Sequence, residues 1–377
     1  MQASLVFRLN KSGGFGIASL VRVIGNVDPL PSQASSGFLL LAAHRDALPL
    51  GGIVLDLNVW SNDTGIMSTC SKRLYGTGSK VALIEIFMCL LASVFPCHAA
   101  KPPMPTPPPG VKVLRDIVYV QRGEKALKLD LYLPADQTSP RPLAIWIHGG
   151  GWRKGSKNEW VNPLFLTSRG FAVASIQYRL SFQAIFPSQI EDCKAAVRFL
   201  RANAGVHGLD PERFAAIGES AGGNLASLLG TTGGLKELSD APESPVSDRV
   251  QAVIDLFGPA DLTAIPDDEQ PDSASFFDDK LLGGTPGQRP DLARAASPIY
   301  HISSETPPFL ILHGKGDPLV PSAQSEMFFA ALQKAGIPSE LVIVPVSYHA
   351  GPGFWTETMQ DKMVLFLDKT LRIPQAP

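Results

Sequence analysis

From residue 111 onward, the apolar positions fall into two recurring patterns. Residues 113–119 and 127–133 alternate apolar and polar, the period of half-buried strands, and Arg122-Gly123-Glu124 joins them as a turn. Residues 142–148 form a short apolar run that leads into three glycines. Beyond it, strand-length apolar runs at 171–177, 214–217, 250–256, 308–312 and 341–345 alternate with helix-patterned stretches at 188–203, 221–229, 322–335 and 357–371. Short apolar runs separated by helices predict strands buried on both faces, hence a mostly parallel sheet covered by helices on each side. The fold class is therefore α/β, in one domain spanning 111–377. Residues 262–301 break the rhythm. They are acidic (Asp267, Asp268, Glu269, Asp272, Asp278, Asp279) and carry Phe276 and Phe277. A connection this long predicts a lid, a binding loop or disorder.

The chain before residue 111 reads differently. Apolar runs at 38–43 and 51–57 carry no sustained period and no chemical motif, so residues 1–66 read as an atypical extension. The expectation is that Met67 is the physiological start; a genuine extra segment is the competing reading. Residues 67–100 have the pattern of an export signal. Lys72, Arg73 and Lys80 precede an apolar stretch, 81–95, interrupted only by Glu85, and Cys97-His98-Ala99-Ala100 ends it with small residues. The stretch is short for a membrane span. An uncleaved anchor or a buried helix is the alternative. Residues 101–110, KPPMPTPPPG, hold six prolines in ten positions and form a stiff linker. These segments predict a secreted or periplasmic protein with no stable membrane insertion after cleavage.

Composition narrows the function. The 377 residues include 33 Lys+Arg against 35 Asp+Glu, and 45% are hydrophobic. That is enough apolar surface for a large core, and the charge balance lacks the basic excess of a nucleic-acid binder. The four Cys make no disulfide framework. Three of them precede the expected cleavage point, and the fourth, Cys193, falls on a helix where burial is expected. No His-Glu-x-x-His, Cys-x-x-Cys or clustered His ligands occur, so no metal and no cofactor are expected. Nothing in the chain signals an oligomeric state.

The candidate chemistry sits where strands end. Gly218-Glu219-Ser220-Ala221-Gly222 follows one predicted strand and opens a helix. Small residues two before and two after a serine let the backbone turn sharply and expose the hydroxyl above the sheet. A tight turn with Ser220 as an N-cap is the bland alternative. His148-Gly149-Gly150-Gly151-Trp152 follows another strand. Bare glycine N–H groups can approach an anionic oxygen, so Gly150 and Gly151, with Ala221, are the expected oxyanion donors, and Gly149 is a possible substitute. His148 is expected to hold this loop rather than to react. A hydroxyl nucleophile needs a base, and the base an orienting carboxylate, in the order Ser, acid, His. After Ser220 only His301, His313 and His349 remain. His349 lies between the last strand and the last helix, Asp317 after the preceding strand, and His313 comes before that acid. Asp255 and Asp261 are the rival acids. Trp152 is the expected wall of a substrate pocket, Arg179 and Asp192 a supporting ion pair.

Taken together, HGGGW (148–152), YRLS (178–181), FPSQIEDCKAAVRFLRANA (186–204), GESAGGNLA (218–226), FGPADL (257–262), HGKGDPLVP (313–321) and YHAGPGF (348–354) resemble the α/β-hydrolase superfamily, in its hormone-sensitive-lipase-related group. The similarity is greatest to bacterial acetyl-xylan and feruloyl esterase-like proteins, and covers residue 111 to the end. It implies Ser220, Asp317 and His349 as a triad. It also implies hydrolysis of esters of short acyl or aromatic acids, on small molecules or on polysaccharide. Many relatives carry a helical cap before HGGG. Here only two strands fit there, so a lid must come from 181–188 or 262–301. A prolyl-oligopeptidase-type peptidase or amidase, and a catalytically silent binding fold, are the alternatives.

Overall fold

The computed structural model describes residues 3–8, 38–45, 53–61, 66–74, 106–134, 140–158, 163–264, 281–345 and 347–371. It divides into two units, Met1–Ala100 and Lys101–Pro377. In the first, β1 (Ala3–Arg8), β2 (Phe38–Arg45), β3 (Ile53–Ser61) and β4 (Ile66–Leu74) form an antiparallel sheet in chain order. The apolar runs left unassigned in sequence fall largely in β2 and β3. A run without alternation hides its period, so it offers no clue to which face is covered. Residues 67–74 of the expected leader lie in β4, whereas its apolar stretch, 81–95, lies outside the described residues.

The second unit is built on eight strands in the order β12-β11-β10-β9-β7-β8-β6-β5. They are β5 (Lys112–Arg122), β6 (Lys125–Leu133), β7 (Arg141–Ile147), β8 (Ala172–Ile176), β9 (Leu209–Glu219), β10 (Ala252–Leu256), β11 (Phe309–Gly314) and β12 (Ser339–Val344). Only β6 runs antiparallel to its neighbours; the other pairings are parallel. This is the mostly parallel α/β sheet that the alternating runs predict.

Side-chain alternation splits the core into two layers. Leu143, Ile145 and Ile147 of β7 face one cluster, and Ala144 and Trp146 face the other. The first face is covered by α1 (Ser188–Ala202), which a short helix α2 (Ala204–His207) follows, by α3 (Ala221–Thr232) and by α5 (Ala323–Lys334). The second is covered by the 3-10 turn Leu164–Arg169 and by α6 (Glu357–Leu371). Cys193 lies on α1 and is buried. Every residue of β7, β8, β10 and β11 is buried, which is why these strands read as continuous apolar runs.

The described part of the irregular stretch 262–301 includes regular elements. Its second part holds α4 (Pro290–Ala295) and the 3-10 turn Pro298–His301. Leu281, Leu282, Ala293 and Ala296 anchor it to the first core cluster. These four positions follow no single period, so the pattern along the chain does not reveal them. Phe276, Phe277 and the acidic run lie outside the described residues. The other lid candidate meets this segment: the N–H of Phe186 donates to the carbonyl of Leu281 at 2.8 Å.

Helix α3 packs closely on the sheet. A Cβ added at Gly230 would stand 2.6 Å from Val253 and 2.9 Å from Phe309. Gly230→Ala is therefore expected to overpack this contact and cost about 1–3 kcal/mol of unfolding free energy. The shift in the denaturant midpoint measures it; an unchanged midpoint would show that the helix is free to lift.

Candidate active site

Strand β9 ends at Glu219 and α3 begins at Ala221, so one residue makes the whole turn. That residue is Ser220, at φ 53° and ψ −121°. Its flanking glycines are required by space. A Cβ at Gly218 would lie 2.0 Å from the carbonyl oxygen of Gly222, and one at Gly222 would lie 2.0 Å from that of Ile147. The N–H of Ser220 is held by the carbonyl of Leu256 on β10 at 2.8 Å. The turn is thus braced by both strands beside β9.

The three residues expected to work together are in contact. Ser220 Oγ lies 2.8 Å from His349 Nε2, and His349 Nδ1 lies 2.7 Å from Asp317 Oδ2. His349 is carried by the loop between β12 and α6, and Asp317 by the loop after β11. The buried Phe257 ring packs against the His349 imidazole in a T-shaped arrangement, with centroids 4.7 Å apart. Asp317 Oδ1 accepts the N–H groups of Leu319 and Val320, each at 2.9 Å. Burial alone works to push the Asp317 carboxyl up. Hydrogen bonds from His313, His349 and the Val320 N–H outweigh it and hold the group well below the usual carboxylate range.

The rival residues are engaged elsewhere. Buried Asp255 accepts from Ser227 Oγ and the Gly258 N–H, both at 2.9 Å. Asp261 accepts from Thr263 and Tyr300. His301 Nε2 faces the carbonyl of Ala295. His313 is fully buried behind Asp317 and bonds Ser325 and Val320. Some of these partners are near in sequence, such as Gly258 for Asp255 and Thr263 for Asp261, and others, such as Ser227 for Asp255, come from distant elements.

The glycine loop lies against the nucleophile turn: a Cβ at Gly149 would sit 2.9 Å from the carbonyl oxygen of Glu219 and 3.3 Å from Ser220 Cβ. Gly150 and Gly151 both have positive φ. The carbonyl of Gly149 takes His148 Nδ1 at 2.8 Å, and that of Gly150 takes the N–H groups of Arg153 and Lys154 at 3.1 Å. In a trans peptide the N–H opposes its C=O, so the Gly150 and Gly151 N–H groups point away from these bonds. The Ala221 N–H stands at the positive end of α3, where an anion is favoured.

Trp152, the expected pocket wall, is 2% exposed, has φ 54° and belongs to the first core cluster. Arg179 and Asp192 do pair, through two bonds at 2.8 and 2.9 Å. Arg122 adds a third cation–carboxylate bond to the fully buried Asp192 at 2.8 Å. This pairing fixes the base of the 181–188 segment. Among the described residues no group of three His, Cys, Asp or Glu is placed to hold a metal ion.

A central strand delivering a serine on a strained turn, in an eight-stranded mostly parallel sheet, is the architecture of the α/β-hydrolases. The model of the BD-FAE family matches residues 129–332, more than half the chain, and the protein belongs to that family. It is 34% identical over 240 residues to Esterase LipQ of Mycobacterium tuberculosis, a match covering 62% of this chain and 56% of LipQ. The chain thus spans just over half the length of that relative. Among solved structures it is similar to a truncated carbohydrate esterase from gut microbiota. That match has a TM-score of 0.65 and 31% identity, and covers 72% of this chain and 100% of that one. It is also similar to an acetyl ester-xyloside bifunctional hydrolase from Caldicellulosiruptor lactoaceticus, with a TM-score of 0.58 and 26% identity, covering 71% and 98%.

His148 sets a pH limit on the loop. Burial lowers its pKa to about 4, against an ordinary value near 6.5, and the ring stacks on Tyr178 at 4.3 Å. The unfolded chain therefore binds the proton more tightly than the folded one. The stability this contributes is complete above about pH 6.5 and is lost as pH falls toward 4. The full effect is on the order of 3 kcal/mol. His148→Asn is expected to flatten the stability profile between pH 6.5 and 4, read by urea unfolding at each pH. An equally steep profile in the variant would assign the slope to other groups.

Proposed function

We propose that the protein is a serine carboxylic-ester hydrolase working through an acyl-enzyme. The observation that carries this is the continuous hydrogen-bond chain Ser220–His349–Asp317, with bonds of 2.8 and 2.7 Å. In this reading His349 takes the Ser220 proton as the hydroxyl attacks the ester carbonyl. Asp317 holds the imidazole in the Nδ1–H tautomer and stabilises its cation. The N–H groups of Gly150, Gly151 and Ala221 receive the negative charge that develops on the carbonyl oxygen. His349 returns its proton to the departing alkoxide, and water then cleaves the acyl-enzyme by the same steps.

The proposed substrates are short acyl esters, acetyl groups on carbohydrate hydroxyls first among them. The carbohydrate esterase and the acetyl ester-xyloside hydrolase among the similar structures support this choice. Acetylated polysaccharide lies outside cells, which fits the export pattern at 67–100.

Ser220→Ala is expected to lower kcat for p-nitrophenyl acetate by about four to six orders of magnitude with the fold intact. A panel of acetylated xylan, methyl ferulate and a peptide anilide then ranks the substrates, and acetyl release is expected to be fastest. Faster cleavage of the anilide would replace the esterase reading with an amidase. Failure of a fluorophosphonate to label Ser220 would indicate a silent binding fold.

A further inference from the structure

The contacts that order Asp317 continue past His349 on the other side. His313 stands near the end of β11 with its side chain fully buried. Its Nε2 lies 2.8 Å from the carbonyl oxygen of Val320. A carbonyl oxygen only accepts, so Nε2 carries a proton. Its Nδ1 lies 2.6 Å from Ser325 Oγ on α5. The Ser325 contact fixes the orientation of the ring. The same Nε2–H edge lies 3.4 Å from Asp317 Oδ2, the oxygen that binds His349. Val320 ties the arrangement together: its N–H holds Asp317 Oδ1 while its carbonyl holds His313. The acidic groups facing His313 are Asp317 and, from β10, the buried Asp255.

We propose that His313, oriented by Ser325 and donating from Nε2, is a positioning residue that aims Asp317 Oδ2 at His349. The proposal rests on the esterase reading above. Two backbone N–H groups hold one oxygen of the carboxylate, and His349 and the His313 edge flank the other. With donors on both oxygens, rotation of the carboxylate breaks at least one contact. Chain order removes His313 as the general base, since the acid follows it, but chain order does not restrict contact in space.

The test uses the full chain, p-nitrophenyl acetate, and pH profiles of kcat and kcat/KM for His313→Asn, His313→Gln and Ser325→Ala. The Gln amide reaches the Nε2 position and keeps a donor toward Asp317; the Asn amide reaches only the Nδ1 position. His313→Asn is expected to lower kcat about 10–100-fold with KM within about twofold. The acid limb should move to lower pH, because a displaced carboxylate stabilises the His349 imidazolium less. His313→Gln should recover most of both effects. Ser325→Ala should shift the limb in the same direction with a smaller loss, and it decides the matter if His313→Asn does not fold. The proposal is overturned if the folded variants keep the wild-type limb, or if Gln is as damaged as Asn. Fluorophosphonate labelling of the wild-type Ser220 tests the esterase reading separately.

Discussion

Ser220 occupies a backbone conformation that costs on the order of 1–3 kcal/mol and persists only where its surroundings enforce it. The enforcement comes from the middle of the sheet. Strand β9 lies between β7 and β10, and its end is gripped from both sides. The carbonyl of Leu256 holds the Ser220 N–H, and the carbonyl of Ile147 crowds Gly222 so closely that no side chain fits. The hydroxyl is thereby lifted off the sheet, while α3 starts at the next residue and turns its N–H groups the same way. Without this one strained residue, strand, helix and nucleophile would not share a point.

The strain is not confined to Ser220. Trp152, Phe257 and Ala350 also have positive φ, and each follows the end of a sheet strand. Of the described non-glycine residues in this conformation, only Asp116 lies away from the site. Each of the others redirects the chain as it leaves a strand, and each redirection serves a neighbour. Trp152 follows the glycine loop, Phe257 packs its ring against His349, and Ala350 follows the base itself. Strain of this kind is tolerable because the two core layers beneath are fully buried and close-packed.

The electrostatics are divided as sharply as the backbone. Asp317 is kept charged by donors on both oxygens, and His148 is kept neutral by burial against Tyr178. Asp192, also fully buried, is balanced by Arg122 and Arg179. Removing one partner of such a buried pair leaves an uncompensated charge, a loss of about 3–5 kcal/mol. The carboxylates near the site therefore differ in task through their partners, although they are the same chemical group.

Much of this was legible in the sequence. Runs buried on both faces announce a parallel sheet by being apolar without alternation, and Gly-x-Ser-x-Gly announces a turn that only small residues allow. Chain order narrows the candidates for acid and base, and the resemblance of the motifs selects His349 and Asp317 from those left. Other features were decided in three dimensions. The packing of Trp152 into the first core cluster is one of them. The 262–301 segment looks like a loop, yet scattered apolar positions pin its second half to the sheet. His313 and Asp317 stand four residues apart in one motif, but the spacing does not show that their side chains meet. Periodicity and motif spacing report what a residue needs from its own strand or helix. Which oxygen meets which proton depends on strands that are distant in sequence and adjacent only once the sheet has formed.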